Sequence, residues 1–585
     1  MLTANAQSLP NSLFLRTYCL PVRASIFFPR VNKPTRVLGS RSLKMLSQTL
    51  EMTLTPEFDK SSIKDNSSSN TYDRAMEALS SLITSRKRGE NSRISIKIGK
   101  LQRMDLYIKI LGLESQISKL KIIHVAGTKG KGSTCSFCEA ILRNCGFRTG
   151  LFTSPHLVDV RERFRINGED ISEEKFLSYF WDCWDTLKEN VTEQLPMPPL
   201  FQFLTVLACK IFSCEQVDVV ILEVGLGGRK DSTNFITEPV VCGITSLGMD
   251  HVEALGGTLS SIASHKAGIF KPNVPAFTAP QLPEAMDALF SRANELQIDL
   301  TVADPLNRDV KLSLAGDHQY INASLAVSLC KSWLKRTGNW EKLIQNENEM
   351  PEAFYRGLST TCLSGRGQIV HESFSNFESD TKIPGGKLTF YLDGAHSPES
   401  IDACGKWFSS SLRINDDSAS QIQVIISQSL LFDNRYPSLQ ILVFNCMDVR
   451  DPQLLLSRLV NICAASRISF TKAIFVPSIS SYNQVTSGHS SLPSDFSSKD
   501  LTWQLSLQKI WGQLVHRNDD SSTVYRDTSP SPNFLLEDGS VVFSSLPLVI
   551  KWLKDCSVEN PSAHIQVLVT GSLHLVGDVL KILGK

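Results

Sequence analysis

A chain of 585 residues and 64.9 kDa exceeds one ordinary domain and predicts two to four. Its 42% hydrophobic and 20% charged composition is globular rather than disordered, and no uninterrupted apolar run reaches the ~18 residues of a membrane helix. Lys and Arg total 60 against 59 Asp and Glu, which argues against a dedicated nucleic-acid binder, and 14 Cys without disulfide-framework spacing fit a reducing interior.

The balance hides an asymmetry. The first fifty residues hold Arg16, Arg23, Arg30, Lys33, Arg36, Arg41 and Lys44 but no acid before Glu51, so the remainder is net acidic, 53 basic against 59 acidic residues. Residues 1–60, rich in Arg and Ser and without the apolar core of a secretory signal, read as an organelle transit peptide and linker. The arginines favour a mitochondrial address; a plastid address and an unprocessed cytosolic N-terminus are the alternatives. The polar stretch Asp59–Tyr72 predicts a linker, and a helix with one apolar face begins at Thr71. Lys121–Ala126 predicts a buried strand, and Ser133–Cys145 a helix stopped by Gly146. Strands at Val217–Val224, Pro239–Leu247 and Val274–Thr278 repeat the strand, turn and helix rhythm of a parallel α/β sheet.

A second doubly wound unit begins between Trp340 and Gly365, with strands at Leu388–Leu392, Ile441–Asn445, Lys472–Val476 and Ile565–Thr570. Ser-rich Ser478–Asp500 predicts a mobile surface insertion, and Asn415–Gln421 a smaller one. The expected domains are therefore residues 61–358 and 359–585, with no internal repeat.

The most informative stretch is Ala126-Gly127-Thr128-Lys129-Gly130-Lys131-Gly132-Ser133-Thr134, which follows a strand and opens a helix. Its glycines allow a nest of backbone N–H groups around phosphate, and the helix N-terminus adds its dipole. Lys131 can reach the β- and γ-phosphates as a point charge, and the Ser133 and Thr134 hydroxyls can meet phosphate or its magnesium ion. The strict phosphate-loop pattern is not met, because Val125 stands where the first Gly belongs and Gly132 separates Lys131 from Ser133. A tight turn without ligand is the bland alternative, and the two lysines favour nucleotide.

Ligands of open α/β sheets collect at the carboxyl ends of strands. Three groups stand there: Ser154-Pro155-His156, Glu223 at the end of an apolar strand, and Asp250-His251. Carboxylate and hydroxyl oxygens suit magnesium, with imidazole a less usual addition. Each also has a structural alternative: an ion pair for Glu223, a packed or capping imidazole for His251, a turn start for Ser154. Lys266 lies on an amphipathic helix, where solvation is its simple alternative. Cys135 and Cys138, three apart on the phosphate-loop helix with no second pair, read as core. In the second unit Asp393 stands at a strand end, 27 residues after Arg366; an acid suits ribose hydroxyls and an Arg suits phosphate, so both are candidates to complete a nucleotide site across a cleft.

These residues resemble the folylpolyglutamate synthases of the Mur ligase superfamily. Gly127 to Thr134, Ser154-Pro155-His156-Leu157, Arg161-Glu162-Arg163, Glu223 to Gly228, Asp250-His251, Lys266-Ala267-Gly268-Ile269 and Leu392 to His396 occur in that family's order, and the likeness runs from about Tyr72 to Gly577. The resemblance implies an α/β fold with an N-terminal P-loop ATPase domain of parallel-rich sheet and a C-terminal Rossmann-like domain. It implies ATP-dependent addition of L-glutamate to the γ-carboxylate of tetrahydrofolate and its polyglutamates through an acyl phosphate. ATP and Mg²⁺ would be the cofactors, with a monovalent cation such as K⁺ as a further one; reduced folates and L-glutamate would be the partners of a monomeric chain that binds no nucleic acid.

By the same resemblance Gly130, Lys131, Gly132, Ser133, Asn322, Arg366 and Asp393 would contact ATP. Ser154, Glu223 and His251 would hold magnesium, and Lys131, Glu223, His251 and Lys266 would be catalytic. Lys266 matches a lysine that is carbamylated in related enzymes, and Asp231 matches a position near the pterin in bacterial relatives. Two departures stand out: Ser397 where many relatives have Asn, and the basic pair Arg229-Lys230, which bears on polyglutamate handling. The competing functions are a dihydrofolate synthase acting on dihydropteroate and a P-loop regulator without ligase chemistry.

Overall fold

The apolar run Ile122–Ala126 forms a strand buried at every position, as expected of a parallel strand covered on both faces. The computed structural model describes residues 69–83, 98–344, 349–372, 386–426, 438–480, 485, 500–515, 525–526 and 539–585, with side chains described for all but 69–71, 414–426 and 525–526. The transit-peptide reading and most of the Ser478–Asp500 insertion lie outside these residues.

The first half begins with α1 (Ser69–Ser81), α2 (Lys100–Ile110), α3 (Glu114–Ile117), β1 (Ile122–Ala126) and α4 (Lys131–Asn144). It continues through β2 (Thr149–Phe152), β3 (Phe164–Ile166), β4 (Glu169–Asp170), α5 (Glu173–Glu189), α6 (Leu200–Cys214) and β5 (Val219–Glu223). β6 (Val241–Ile244), α7 (Val252–Leu255), α8 (Leu259–Lys266), β7 (Ala276–Thr278), α9 (Pro283–Leu296), β8 (Leu300–Val302), α10 (His318–Arg336) and α11 (Glu352–Thr360) complete it. The helix expected from Thr71 starts at Ser69, so the end of the expected linker is helical.

The strands order as β4-β3-β2-β5-β1-β6-β7-β8, parallel from β2 to β8, with β3 and β4 antiparallel at one edge. Register sorts the side chains. Ile123 pairs with Ile221, and both lie in the core built with Phe137 and Ile141 of α4 and Leu329 and Trp333 of α10. Ile122 pairs with Val220 on the opposite face, among α1, α2, α5 and α6. Cys135 and Cys138 are fully buried core residues, as the sequence indicates.

The second half comprises β9 (Gln368–Glu372), β10 (Lys387–Leu392), α12 (Pro398–Ile426), β11 (Ser438–Phe444), α13 (Pro452–Ala465), β12 (Lys472–Phe475) and α14 (Thr502–Val515). β13 (Tyr525–Arg526), β14 (Gly539–Phe543), α15 (Leu546–Glu559), β15 (His564–Thr570) and α16 (Leu573–Leu583) follow. Its sheet orders as β13-β14-β12-β11-β15-β10-β9 and is parallel except for β9. One face packs on α15 and α16, the other on α12, α13 and α14. The small insertion expected at Asn415–Gln421 instead continues α12, and no Gly or Pro interrupts the chain between Gly405 and Ile426 to break that helix.

The halves meet closely. A Cβ on Gly577 of α16 would lie 2.4 Å from the Leu157 carbonyl, so the segment after β2 docks against bare helix backbone.

Candidate active site

The phosphate loop joins β1 to α4, and its geometry depends on Gly130. This residue caps α4 with φ of 84°, in the left-handed region, and a Cβ there would stand 2.0 Å from Asn322 Oδ1. Asn322 is buried on α10 and is oriented by its own bond from Nδ2 to Gln319 Oε1. The N–H groups of Thr128 and Lys129 both donate to the Ser246 carbonyl. The first-turn N–H groups of α4, from Lys131 onward, are the ones that remain for an anion. Lys131 Nζ curls back onto the Gly127 and Thr128 carbonyls at 3.2 and 3.5 Å, contacts that phosphate oxygens can replace.

Four neighbouring strands end here. β2 leads to Ser154, β5 ends in Glu223, β1 enters the phosphate loop and β6 leads to Asp250. Glu223 is 3% exposed, and its Oε2 accepts the Ser154 N–H at 2.9 Å. Burial raises its pKa, opposed by Lys131, the Ser154 N–H, Arg366 and Arg163. The Ser154–Pro155 peptide is cis. The segment after it is held by Glu162, whose carboxylate accepts the N–H groups of Leu157, Val158 and Asp159.

Lys266 ends α8 and is only 4% exposed, so solvation is not its role. Its ammonium donates to the Gly127 carbonyl at 2.6 Å. Burial, reinforced by Lys131, pushes its pKa down to about 7. Asp250 accepts from Lys129 Nζ at 3.0 Å and faces Arg450 of the second half at 3.7 Å. These cations hold its carboxyl well below the usual carboxylate range against the cost of burial. His251 is exposed, starts α7 and has a positive φ of 53°.

Asp231 is buried, and its carboxylate is committed to its own loop: Oδ2 accepts the Leu226 N–H, and Oδ1 accepts both the N–H and hydroxyl of Thr233. Because that hydroxyl donates to Asp231, it accepts from His124 Nε2 at 2.9 Å, which fixes the buried imidazole's tautomer. Burial first, then Lys271, pushes the His124 pKa down to about 3. Gly228, three residues before Asp231, has no room for a side chain against the His265 and Lys266 backbone, so the loop packs directly on the end of α8.

From the second half, Asp393 follows β10 and accepts the Gly367 N–H at 2.9 Å and the Ala395 N–H at 3.0 Å. This places Arg366 beside it, and the Arg366 charge opposes the upward pull of burial on the Asp393 pKa. Arg366 also reaches Glu223 electrostatically, so residues from both halves share one centre. Lys129, counted in the sequence only as the second lysine of the phosphate loop, Arg163, quoted there only within a motif, and Arg450, which has no place in it, also belong to this group. Arg450 follows β11, and the strand-end rule applied there would have flagged it.

Among the described residues no cluster of three or more His, Cys, Asp or Glu is arranged to hold a metal. Glu223 and the adjoining Ser154 offer oxygen donors of the kind a hard divalent ion takes, whereas His251 stands beside Asp250.

A glycine-rich phosphate loop at the strand ends of a parallel sheet, faced by a Rossmann-like half with its own acid and arginine, defines a nucleotide-dependent protein of Mur ligase architecture. Residues 125–279 match the family model described as Mur ligase middle domain. The chain is 53% identical to a folylpolyglutamate synthase of Arabidopsis thaliana over 94% of its own length and 93% of the relative's. It is 35% identical to the mitochondrial folylpolyglutamate synthase of Homo sapiens, covering 83% of this chain and 86% of that one. Folylpolyglutamate synthase of Mycobacterium tuberculosis complexed with ADP shares the fold with a TM-score of 0.60 at 20% identity, covering 88% and 99% of the two chains. The chain belongs to the folylpolyglutamate synthase family.

Proposed function

We propose that this protein adds L-glutamate to the terminal γ-carboxylate of tetrahydrofolate and its polyglutamates, using ATP and passing through an acyl phosphate. The observation that carries the reading is the meeting of Lys131 and Glu223 with Arg366 and Asp393 from the opposite half. A carboxylate is a poor acyl donor because oxide is a poor leaving group, so it must first be phosphorylated. Magnesium, held by Ser154, Glu223 and His251 when bound, would supply charge neutralisation at the phosphates.

The chain's own groups do the remaining work. Helix α4 presents N–H groups to the phosphates, and Lys131 leaves its carbonyl contacts to follow the transferring charge. Arg366 and Asp393 orient the nucleotide from the second half, so that closure of the halves excludes the water that would hydrolyse the acyl phosphate. The amine of the incoming glutamate then attacks the acyl carbon, and phosphate departs from the tetrahedral intermediate.

Mass spectrometry of products from purified protein, ATP, magnesium, tetrahydrofolate and glutamate tests this directly. A ladder of successive glutamyl additions that disappears without ATP is expected. Conversion of dihydropteroate but not tetrahydrofolate would replace the reading with a dihydrofolate synthase. ATP hydrolysis indifferent to folate and glutamate together would replace it with a nucleotide switch.

Lys266 is also proposed as a carbamylation site. Its depressed pKa of about 7 leaves much of the amine neutral near pH 8, the form that reacts with carbon dioxide, and the product is an anion beside Lys129 and Lys131. Lys266→Ala is expected to lose most activity and to regain part of it with added acetate. Full activity in the untreated variant would end that assignment.

A further inference from the structure

By polarity alone a histidine is out of place in β1. His124 is fully buried in this central strand, paired in register with Leu222 of β5 and Cys242 of β6, and every other residue of the strand is apolar. Its Nε2 meets the Thr233 hydroxyl at 2.9 Å, whereas Nδ1 is buried without a partner. An imidazole kept there on one hydrogen bond calls for a reason beyond packing.

The bonds beyond Thr233 supply it. The Thr233 hydroxyl donates to Asp231 Oδ1 at 2.7 Å, and Asp231 Oδ2 accepts the N–H of Leu226 at 3.0 Å, three residues after Glu223. The loop tied in this way is seated on the end of α8. The Arg229 N–H donates to the His265 carbonyl at 2.8 Å, and Asn234 Nδ2 bridges the Arg229 and Gly268 carbonyls at 3.1 and 3.0 Å. Lys266, next to His265, donates to the Gly127 carbonyl at 2.6 Å, the same carbonyl that accepts from Lys131 at 3.2 Å. The path therefore leaves β1 at His124 and returns to the chain three residues later, in the phosphate loop.

We propose that His124 and Thr233 are positioning residues for Lys266: through Asp231 they hold the loop that seats the end of α8, and so fix the Lys266 amine against the phosphate loop beside Lys131. This rests on the glutamylation reading and on the place of Lys266 in it. Both residues are fully buried and act only through Asp231. Removing the Thr233 hydroxyl opens the circuit twice, leaving the His124 N–H without its acceptor and Asp231 Oδ1 with one donor in place of two. Because Lys266 and Lys131 share an acceptor, a shift of the first changes the charge available to the second, and a misplacement of about 1 Å can lower a rate by ~100-fold.

The test uses the full chain. Thr233→Val keeps the shape and removes the hydroxyl, and Thr233→Ser keeps the hydroxyl; both are compared with His124→Leu and with the double variant His124→Leu/Thr233→Val. Acetylation of lysines by acetic anhydride is followed by mass spectrometry at a temperature where every variant is folded. Lys472, buried in β12 of the second half, is the reference for general loosening. Thermal midpoint, kcat and KM are measured alongside. Thr233→Val should raise Lys266 acetylation severalfold relative to Lys472 and lower kcat by on the order of tenfold, with KM for ATP within about twofold of the parent. Thr233→Ser should restore both values. The double variant should be no worse than the more impaired single one, because both substitutions break the same path.

Parental acetylation of Lys266 in Thr233→Val overturns the assignment. So does an equal rise at Lys472, or a lower thermal midpoint with parental kcat, since either makes the pair structural. A raised KM for tetrahydrofolate with kcat and Lys266 acetylation unchanged also overturns it, by placing the effect on the acceptor. Absence of ligation by the parent chain would instead count against the functional reading, since the acetylation comparison stands without turnover.

Discussion

Replacing Lys131 by alanine is expected to lower kcat/KM for glutamate ligation by on the order of 10²–10³-fold while shifting stability by no more than about 0.5 kcal/mol. The asymmetry follows from where the ammonium is. It rests on two backbone carbonyls at 3.2 and 3.5 Å in a half-exposed loop, contacts that water can replace. During phosphoryl transfer it would face charge spread over the phosphate oxygens, where its countercharge is worth far more. Lys131→Arg is expected to fall between parent and alanine, because the planar guanidinium keeps the charge but does not fit the space of a compact ammonium above Gly127. Steady-state kinetics with a denaturation curve for each variant decide the matter. Near-parental turnover in Lys131→Ala would remove the residue from the mechanism, and a collapsed denaturation curve would make it a structural residue.

What could be read from the sequence divides along physical lines. Central strands were legible because burial on both faces demands unbroken apolar runs: the run Lys121–Ala126 became β1, and Val217–Val224 contains β5. The edge strands β3 and β4 were not, since Glu169–Asp170 is exposed and polar and is a strand only because β3 pairs with it. The helix after the phosphate loop begins at Lys131 rather than Ser133, because Gly130 takes a left-handed conformation that lets the turn close early.

At the site, the strand-end rule found Ser154, Glu223, Asp250 and Asp393 without knowledge of the sheet order. It could not show that the strands preceding Ser154 and Asp250 flank those of Glu223 and the phosphate loop, a fact of topology. Nor could it show that Arg450 lies 3.7 Å from Asp250 across two hundred residues of chain. Lys266 illustrates the limit of helical periodicity. The pattern put it on an amphipathic helix, and only the end of α8 against Gly127 explains why so polar a side chain is buried.

Glu223→Gln should make the protein inactive and, at neutral pH, no less stable. The exchange is nearly isosteric, and the amide oxygen can still accept the Ser154 N–H that now bonds Oε2 at 2.9 Å, so the segment after β2 keeps its anchor. What disappears is a negative charge. Burial raises the pKa of Glu223 despite Lys131, Arg366 and Arg163 nearby, so the folded state holds the ionised form less readily than the unfolded state does. An acid whose folded pKa is raised opposes folding above that pKa and ceases to do so below its unfolded value of about 4.3. The variant's thermal midpoint should therefore equal or exceed the parent's at pH 7.5, and the difference should vanish as the pH falls towards about 4. Activity should move the other way, with apparent magnesium affinity or turnover reduced at least ~100-fold, because a neutral amide is a weak ligand for a hard divalent ion. Melting curves at the two pH values and a magnesium titration of the rate check both halves of the expectation. A variant that is both destabilised at neutral pH and normal in its magnesium response would show that Glu223 serves as a buried ion-pair partner for the surrounding cations rather than as a ligand.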